Sequence, residues 1–64
     1  MQDDRIHRLP EVMQRTKLGR STIYSLVAAK QFPQPIKLGP RAVGWSTNEI
    51  SNWLQKRADL REAA

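Results

Sequence analysis

Arg20, Ser21, Thr22, Tyr24 and Ser25 place one guanidinium and four hydroxyl groups within a single short stretch that contains no carboxylate. Guanidinium and hydroxyl groups donate hydrogen bonds to phosphate oxygens. Presented on a slim helix, they also reach the base edges of a major groove. Arg15 and Lys17 precede this stretch, and Lys37 and Arg41 follow it. The chemistry on offer is therefore neutralisation and hydrogen bonding of a polyanion.

Chemistry of bond making and breaking is poorly supplied. His7 is the single histidine, there is no cysteine, and no Gly-rich phosphate loop is present. Asp3 and Asp4 are adjacent near the start, but the body of the chain holds no comparable carboxylate pair. A general acid–base pair, an activated nucleophile and a thiolate metal site all need side chains that are missing from this pattern. No catalytic residue, metal site or cofactor is expected.

The charge distribution points the same way. Eleven basic residues face six acidic ones, for a net charge of +5. Between Glu11 and Glu49 there is no acid, while Arg15, Lys17, Arg20, Lys30, Lys37 and Arg41 all fall in that interval. The interval thus carries +6 and the flanks −1. A one-signed field of this kind attracts nucleic acid. At 64 residues the chain has room for one domain, residues 1–64, with 1–4 and 61–64 expected to fray. No apolar run approaches the ~20 residues of a membrane span, and the start lacks a signal-peptide core, so a soluble cytoplasmic protein is expected.

Hydrophobic spacing supplies the elements that must position the polar groups. Arg5–Arg8 alternates weakly, as a short strand does. Leu9, Val12 and Met13 recur at i, i+3, i+4, with Pro10 near a helix start and an end near Thr16. Lys17-Leu18-Gly19 reads as a tight connection, with Gly19 or Ser21 as the cap of the next helix. Ile23, Leu26 and Val27 predict that helix over about 20–29, stopped by Phe32-Pro33. Ile36 and Leu38 alternate with Lys37, Gly39-Pro40-Arg41 turns the chain, and Val43 and Trp45 alternate with Gly44, as in a hairpin. Ser46 to Glu49 matches a capping box for a third helix bearing Ile50, Trp53, Leu54 and Ala58 on one face. The fold class expected is mainly α with a small β-hairpin: a winged helix-turn-helix of two helices, a two-stranded wing and a C-terminal helix.

The expected core comprises the helix residues Leu9, Val12, Met13, Leu18, Ile23, Leu26 and Val27, then Phe32, the wing residues Ile36, Leu38, Val43 and Trp45, and finally Ile50, Trp53 and Leu54. With Ile23, Leu26 and Val27 inward, Ser21, Ser25 and Ala28 point outward, with Thr22 and Tyr24 on the flanks. Tyr24 can rest its ring on the core edge and direct its hydroxyl to a phosphate. Arg15 and Lys17 fall where a helix-turn-helix runs beside the sugar–phosphate backbone. Lys37 is expected opposite Ile36 and Leu38. Arg41, at the wing tip, suits either a phosphate or a narrow minor groove. Lys30 suits either a DNA contact or the dipole of the helix it ends.

The ordered set Arg8-Leu9-Pro10-Glu11-Val12, Arg20-Ser21-Thr22-Ile23-Tyr24, Phe32-Pro33-Gln34-Pro35-Ile36-Lys37-Leu38-Gly39, Val43-Gly44-Trp45, Glu49-Ile50 and Trp53-Leu54 resembles the AlpA family of prophage regulators. The resemblance covers roughly residues 5 to 56. It implies a sequence-specific binder of double-stranded DNA, related to excisionases and to the DNA-binding domains of the MerR group, without catalytic activity. It also implies a transcriptional regulator, an excisionase-type directionality factor in DNA recombination, or both. Integrase, RNA polymerase and further copies of the chain on bent DNA are the partners it suggests. Gly19 stands where relatives often carry a serine cap, and Ser25 where they often carry a basic residue.

The DNA-contact residues expected are Arg15, Lys17, Arg20, Ser21, Thr22, Tyr24, Ser25, Lys37 and Arg41. The rival reading is a small adaptor that modulates a regulator or integrase through the polar face of the third helix, Ser51, Asn52, Gln55 and Lys56. No large exposed apolar patch is expected.

Overall fold

The computed structural model describes residues 4–63, in the order β1 (Ile6–His7), α1 (Leu9–Thr16), α2 (Arg20–Ala28), β2 (Ile36–Gly39), β3 (Ala42–Ser46) and α3 (Thr47–Ala63). This is the winged helix-turn-helix arrangement, with one addition. β1 pairs antiparallel with β3, so the wing is the edge of a three-stranded sheet ordered β1-β3-β2.

α1 begins at Arg8, whose extended backbone (φ −84°, ψ 171°) ends the strand. The Arg8 amide donates to Glu11 Oε1 at 2.8 Å, which satisfies one of the free donors of a helix start. At its end, Lys17 adopts φ 61° and donates its amide to the Met13 carbonyl at 2.8 Å. Thr16 Oγ1 donates to the Val12 carbonyl at 2.8 Å and accepts the Leu18 amide at 3.3 Å. The turn is therefore made by Lys17 and Thr16. Gly19, the glycine that the spacing marks, is extended at φ −78°, ψ 166° and serves as the N-cap of α2 without any side-chain bond.

α2 ends in a Schellman arrangement. Gln31 N–H donates to Leu26 O at 2.9 Å and Lys30 N–H to Val27 O at 3.1 Å, with Lys30 at φ 63°. Both indoles then fasten the following connection. Trp45 Nε1–H donates to Pro33 O and Trp53 Nε1–H to Gln31 O, each at 2.9 Å. A tryptophan packed in a core needs such a partner for its N–H. Here the partners are carbonyls of the loop that sets α2 against the sheet.

The core consists of Val12 on α1, Ile23 on α2, Phe32, Trp45 on β3 and Ile50 on α3. Leu9, Met13, Leu18, Leu26, Val27, Val43, Trp53 and Leu54 pack around it, partly buried. Phe32 meets Trp53 edge to face at 4.8 Å, and the Arg57 guanidinium lies 4.8 Å from the Trp53 ring centroid.

Two expected core residues lie outside. Ile36 is 41% exposed and Leu38 46%. The pairing Lys37↔Val43 and Ile36↔Gly44 gives the reason. Directly paired residues project on the same side of a sheet. Val43 and Trp45 occupy the side that faces the helices, so Lys37 shares that side. Ile36 and Leu38 take the opposite one, where Ile6, 42% exposed, joins them beside Gly44. This reverses the expected orientation of β2 and creates an apolar patch that was not anticipated. Leu38 lies beside Gly44 on this outer side, and the register shifts between Lys37 and Gly39 before the turn at Pro40-Arg41.

Asp4 is held at the start of α3, accepting hydrogen bonds from Ser46 Oγ (2.9 Å), Thr47 Oγ1 (3.1 Å) and the Asn48 amide (3.1 Å). Arg5 is clipped to the same point: its amide donates to Thr47 Oγ1 at 3.0 Å, and its carbonyl accepts the Thr47 amide at 2.8 Å. Of the capping box, the half made by Ser46 Oγ and the Glu49 amide is present, at 3.2 Å. The carboxylate closing this helix start is that of Asp4, from the far end of the sequence. α3 continues past Leu60 to Ala63. Residues 1–3 and 64, the remainder of the termini expected to fray, lie outside the described residues.

Candidate nucleic-acid interface

Burial of Ile23, with Leu26 and Val27 partly covered, leaves Arg20, Ser21, Thr22, Tyr24, Ser25 and Ala28 exposed along α2. The helical period of 100° per residue makes this unavoidable once the apolar stripe is seated. The exposed surface is narrow and carries donors without carboxylates. Tyr24 is 42% exposed, with its ring tilted 59° against Trp45 at 6.4 Å, so its ring leans on the core while the residue remains open to solvent.

At the amino-terminal end of α2 the chain forms a cleft of about 280 Å3, walled by α1, α2 and the wing. Arg20 and Tyr24 enter it from α2, Arg41 from the wing tip, and Arg8 from the start of α1, over an apolar floor that includes Leu9 and Val43. Among the described residues no salt bridge engages Arg8, Arg20 or Arg41. Glu11, the nearest acid in sequence to Arg8, accepts the Arg8 amide at 2.8 Å and lies 3.8 Å from His7 Nδ1. Three arginines without an ion-pair partner line one hollow that no acidic residue lines, a local excess of positive charge.

Arg8 is the residue that the sequence alone did not single out. It precedes Leu9-Pro10, and Pro10 does mark a helix start. Nothing in that local pattern brings a helix start to the wing tip; the packing of α1 against β3 does.

The other expected contacts are placed as follows. Lys17 is exposed in the left-handed turn before α2. Lys37 is exposed at the edge of the sheet on the side of the helices. Arg15 is directed elsewhere: its Nη2 donates to Ser51 Oγ at 3.0 Å and its Nη1 to Thr47 O at 3.4 Å, bridging α1 to α3. Lys30 lies at the opposite end of α2, beside a larger cleft of about 390 Å3 formed with Phe32, Trp53 and Lys56. Glu49 lines that cleft too, so its charge is mixed.

Among the described residues no group of histidine and acidic side chains is arranged to hold a metal ion. No described helix is long and apolar enough to cross a membrane.

Residues 5–58 match the family described as Prophage CP4-57 regulatory protein (AlpA). The chain is 42% identical to the DNA-binding transcriptional activator AlpA of Escherichia coli K12, covering 88% of this chain and 89% of that protein. It is 41% identical to the uncharacterized protein ORF88 of Enterobacteria phage P4, covering 84% of this chain and 61% of the phage protein. No solved structure matches it significantly.

Proposed function

This chain belongs to the AlpA family of prophage regulatory proteins, and on that premise we propose that it binds double-stranded DNA sequence-specifically and regulates transcription of prophage genes. One observation carries the reading: the carboxylate-free outer face of α2 stands beside three unpaired arginines at its amino-terminal end. α2 enters the major groove, where Ser21, Thr22 and Ser25 meet base edges or phosphates. Arg20 and Tyr24 anchor the end of that helix. Lys17 and Lys37 neutralise phosphates on either side, and the wing tip at Arg41 follows the backbone. The protein works in the bacterial cytoplasm, on the nucleoid.

A domain of this size covers little DNA, and specific interfaces of single modules bury only ~600–1,000 Å2 of protein surface. Useful occupancy therefore depends on several copies on adjacent sites, or on RNA polymerase or an integrase bound beside it. An excisionase-type role in recombination would use the same DNA contacts. It is distinguished by adding integrase to a DNA-binding assay and scoring excision.

The test is a gel shift with duplex fragments of the parent element, titrated with salt. Neutralising four to six phosphates gives a slope of log K against log salt of roughly −3.5 to −5.5. A flat salt dependence, or no shift with any fragment while integrase is bound directly, would favour the adaptor reading instead.

A further inference from the structure

We infer that the cleft between α2 and the wing is a seat for one backbone phosphodiester, and that Arg8 is a DNA-contact residue which, with Arg20 and Arg41, grips that phosphate and sets how α2 enters the groove. The inference rests on the duplex-DNA reading above and specifies which chemical group enters this site.

The shape of the site selects the ligand. Base edges lie on the floor of a groove and are reached by protruding side chains. A concave site cannot reach them, whereas a phosphate projecting from the backbone enters a hollow readily. At about 280 Å3 the cleft falls just below the usual range of small-molecule sites (~300–1,000 Å3), which suits a single group carried on a larger molecule.

The chemistry agrees with the shape. The polar residues lining the cleft are Arg8, Arg20, Arg41 and Tyr24, with no acidic residue and no asparagine or glutamine among them. Guanidinium groups only donate, and their planar forks match a tetrahedral oxyanion. A lining of donors leaves an anion of several acceptor oxygens as the fitting guest. No acid among the described residues neutralises these charges.

The three arginines come from the start of α1, the start of α2 and the wing tip. One phosphate held by all three ties these elements to a single point on the backbone. Contacts of this kind fix register and orientation and carry no sequence information themselves. Arg8 is the informative member, because its backbone is engaged in capping α1 while its side chain is not. At φ −84° and ψ 171° alanine is accommodated without strain, so the fold tolerates its replacement.

The experiment compares wild type, Arg8→Ala and Arg8→Lys on the shifted duplex and on a scrambled duplex of equal length. Thermal melts verify that the variants fold. Arg8→Ala is expected to weaken both complexes about equally, by roughly tenfold, as for the loss of one charge-assisted hydrogen bond. Its salt slope should be shallower by about 0.9. Arg8→Lys should restore the slope with only part of the affinity, because lysine lacks the fork. Single methylphosphonate substitutions scanned along the duplex should reveal one position that weakens wild type but adds nothing to the Arg8→Ala defect.

Wild-type binding with an unchanged slope in Arg8→Ala would overturn the phosphate seat and leave the duplex-DNA reading intact. A loss confined to the shifted sequence would also overturn it, because Arg8 would then be reading a base. Failure of wild type to bind any duplex would remove both readings together.

Discussion

The carboxylate of Asp4 accepts the backbone amide of Asn48 at 3.1 Å, across 44 positions of sequence, and thereby closes the start of α3. The Asn48 amide first, and then the Ser46 hydroxyl, hold this carboxyl below its ordinary value of 3.8; desolvation opposes them without prevailing. A negative charge at this helix start also complements the helix dipole.

A carboxyl whose pKa is lower in the folded state stabilises the fold above its unfolded pKa. That contribution is lost as pH falls through the folded value. Thermal melts of wild type and Asp4→Asn should therefore differ most at neutral pH, with Asp4→Asn the less stable, and converge in acid below 3.8. A difference that stayed constant down to pH ~2 would exclude the charged cap as its cause.

Gly44 is the second point where distant segments meet closely. A β-carbon added there would collide with Cγ2 of Ile6 and lie 3.1 Å from the His7 carbonyl oxygen and 3.2 Å from Leu38 Cδ1. Leu38 is half exposed and can yield, but the His7 oxygen belongs to the backbone of the neighbouring strand. Gly44→Ala is expected to cost about 1–3 kcal/mol by overpacking. Urea denaturation checks this, and no loss of stability would mean that β1 does not hold its place on β3.

Gly19 offers the opposite case. Its backbone is extended, nothing lies within 4 Å of an added β-carbon, and α2 has no side-chain cap. Gly19→Ser should supply a hydroxyl to the amide of Ser21 or Thr22 and restrict the unfolded chain. Together these raise stability by about 0.5–1 kcal/mol. An unchanged or lowered midpoint in denaturant would show that the cap does not form.

Arg15 separates two roles. As a bridge from α1 to Thr47 and Ser51, it should contribute about 1 kcal/mol to stability, near the upper end for exposed pairs. Arg15→Ala should therefore lower the melting temperature and leave the salt slope of DNA binding unchanged. A slope shallower by about 0.9 would instead return Arg15 to the phosphate contacts expected from its position at the helix end.

The residues that sequence reasoning placed well are those whose surroundings are local. Ile23, Leu26 and Val27 orient α2 by themselves, because helical periodicity depends only on spacing along one helix; the exposure of Ser21, Thr22, Tyr24 and Ser25 follows. The order of elements, the stop at Phe32-Pro33 and the concentration of positive charge between Glu11 and Glu49 were equally legible.

What required the tertiary structure was every choice between equivalent local solutions. The alternation of Ile36, Lys37 and Leu38 is the same whichever face is buried. Only pairing with β3, whose Trp45 is committed to the core, sent Lys37 to the helix side and left Ile36 and Leu38 outside. Arg15 was diverted to α3 by a neighbour remote in sequence, and Asp4 became the cap of a helix that begins more than forty residues later. Arg8 and Arg41 share a cleft because α1 and the wing both pack on the central strand. Sequence by itself determined the helices, the charge and the identity of the exposed face, since each depends on near neighbours. Three-dimensional packing decided which charges converge, because long-range contacts, and not spacing along the chain, bring separate elements to one place.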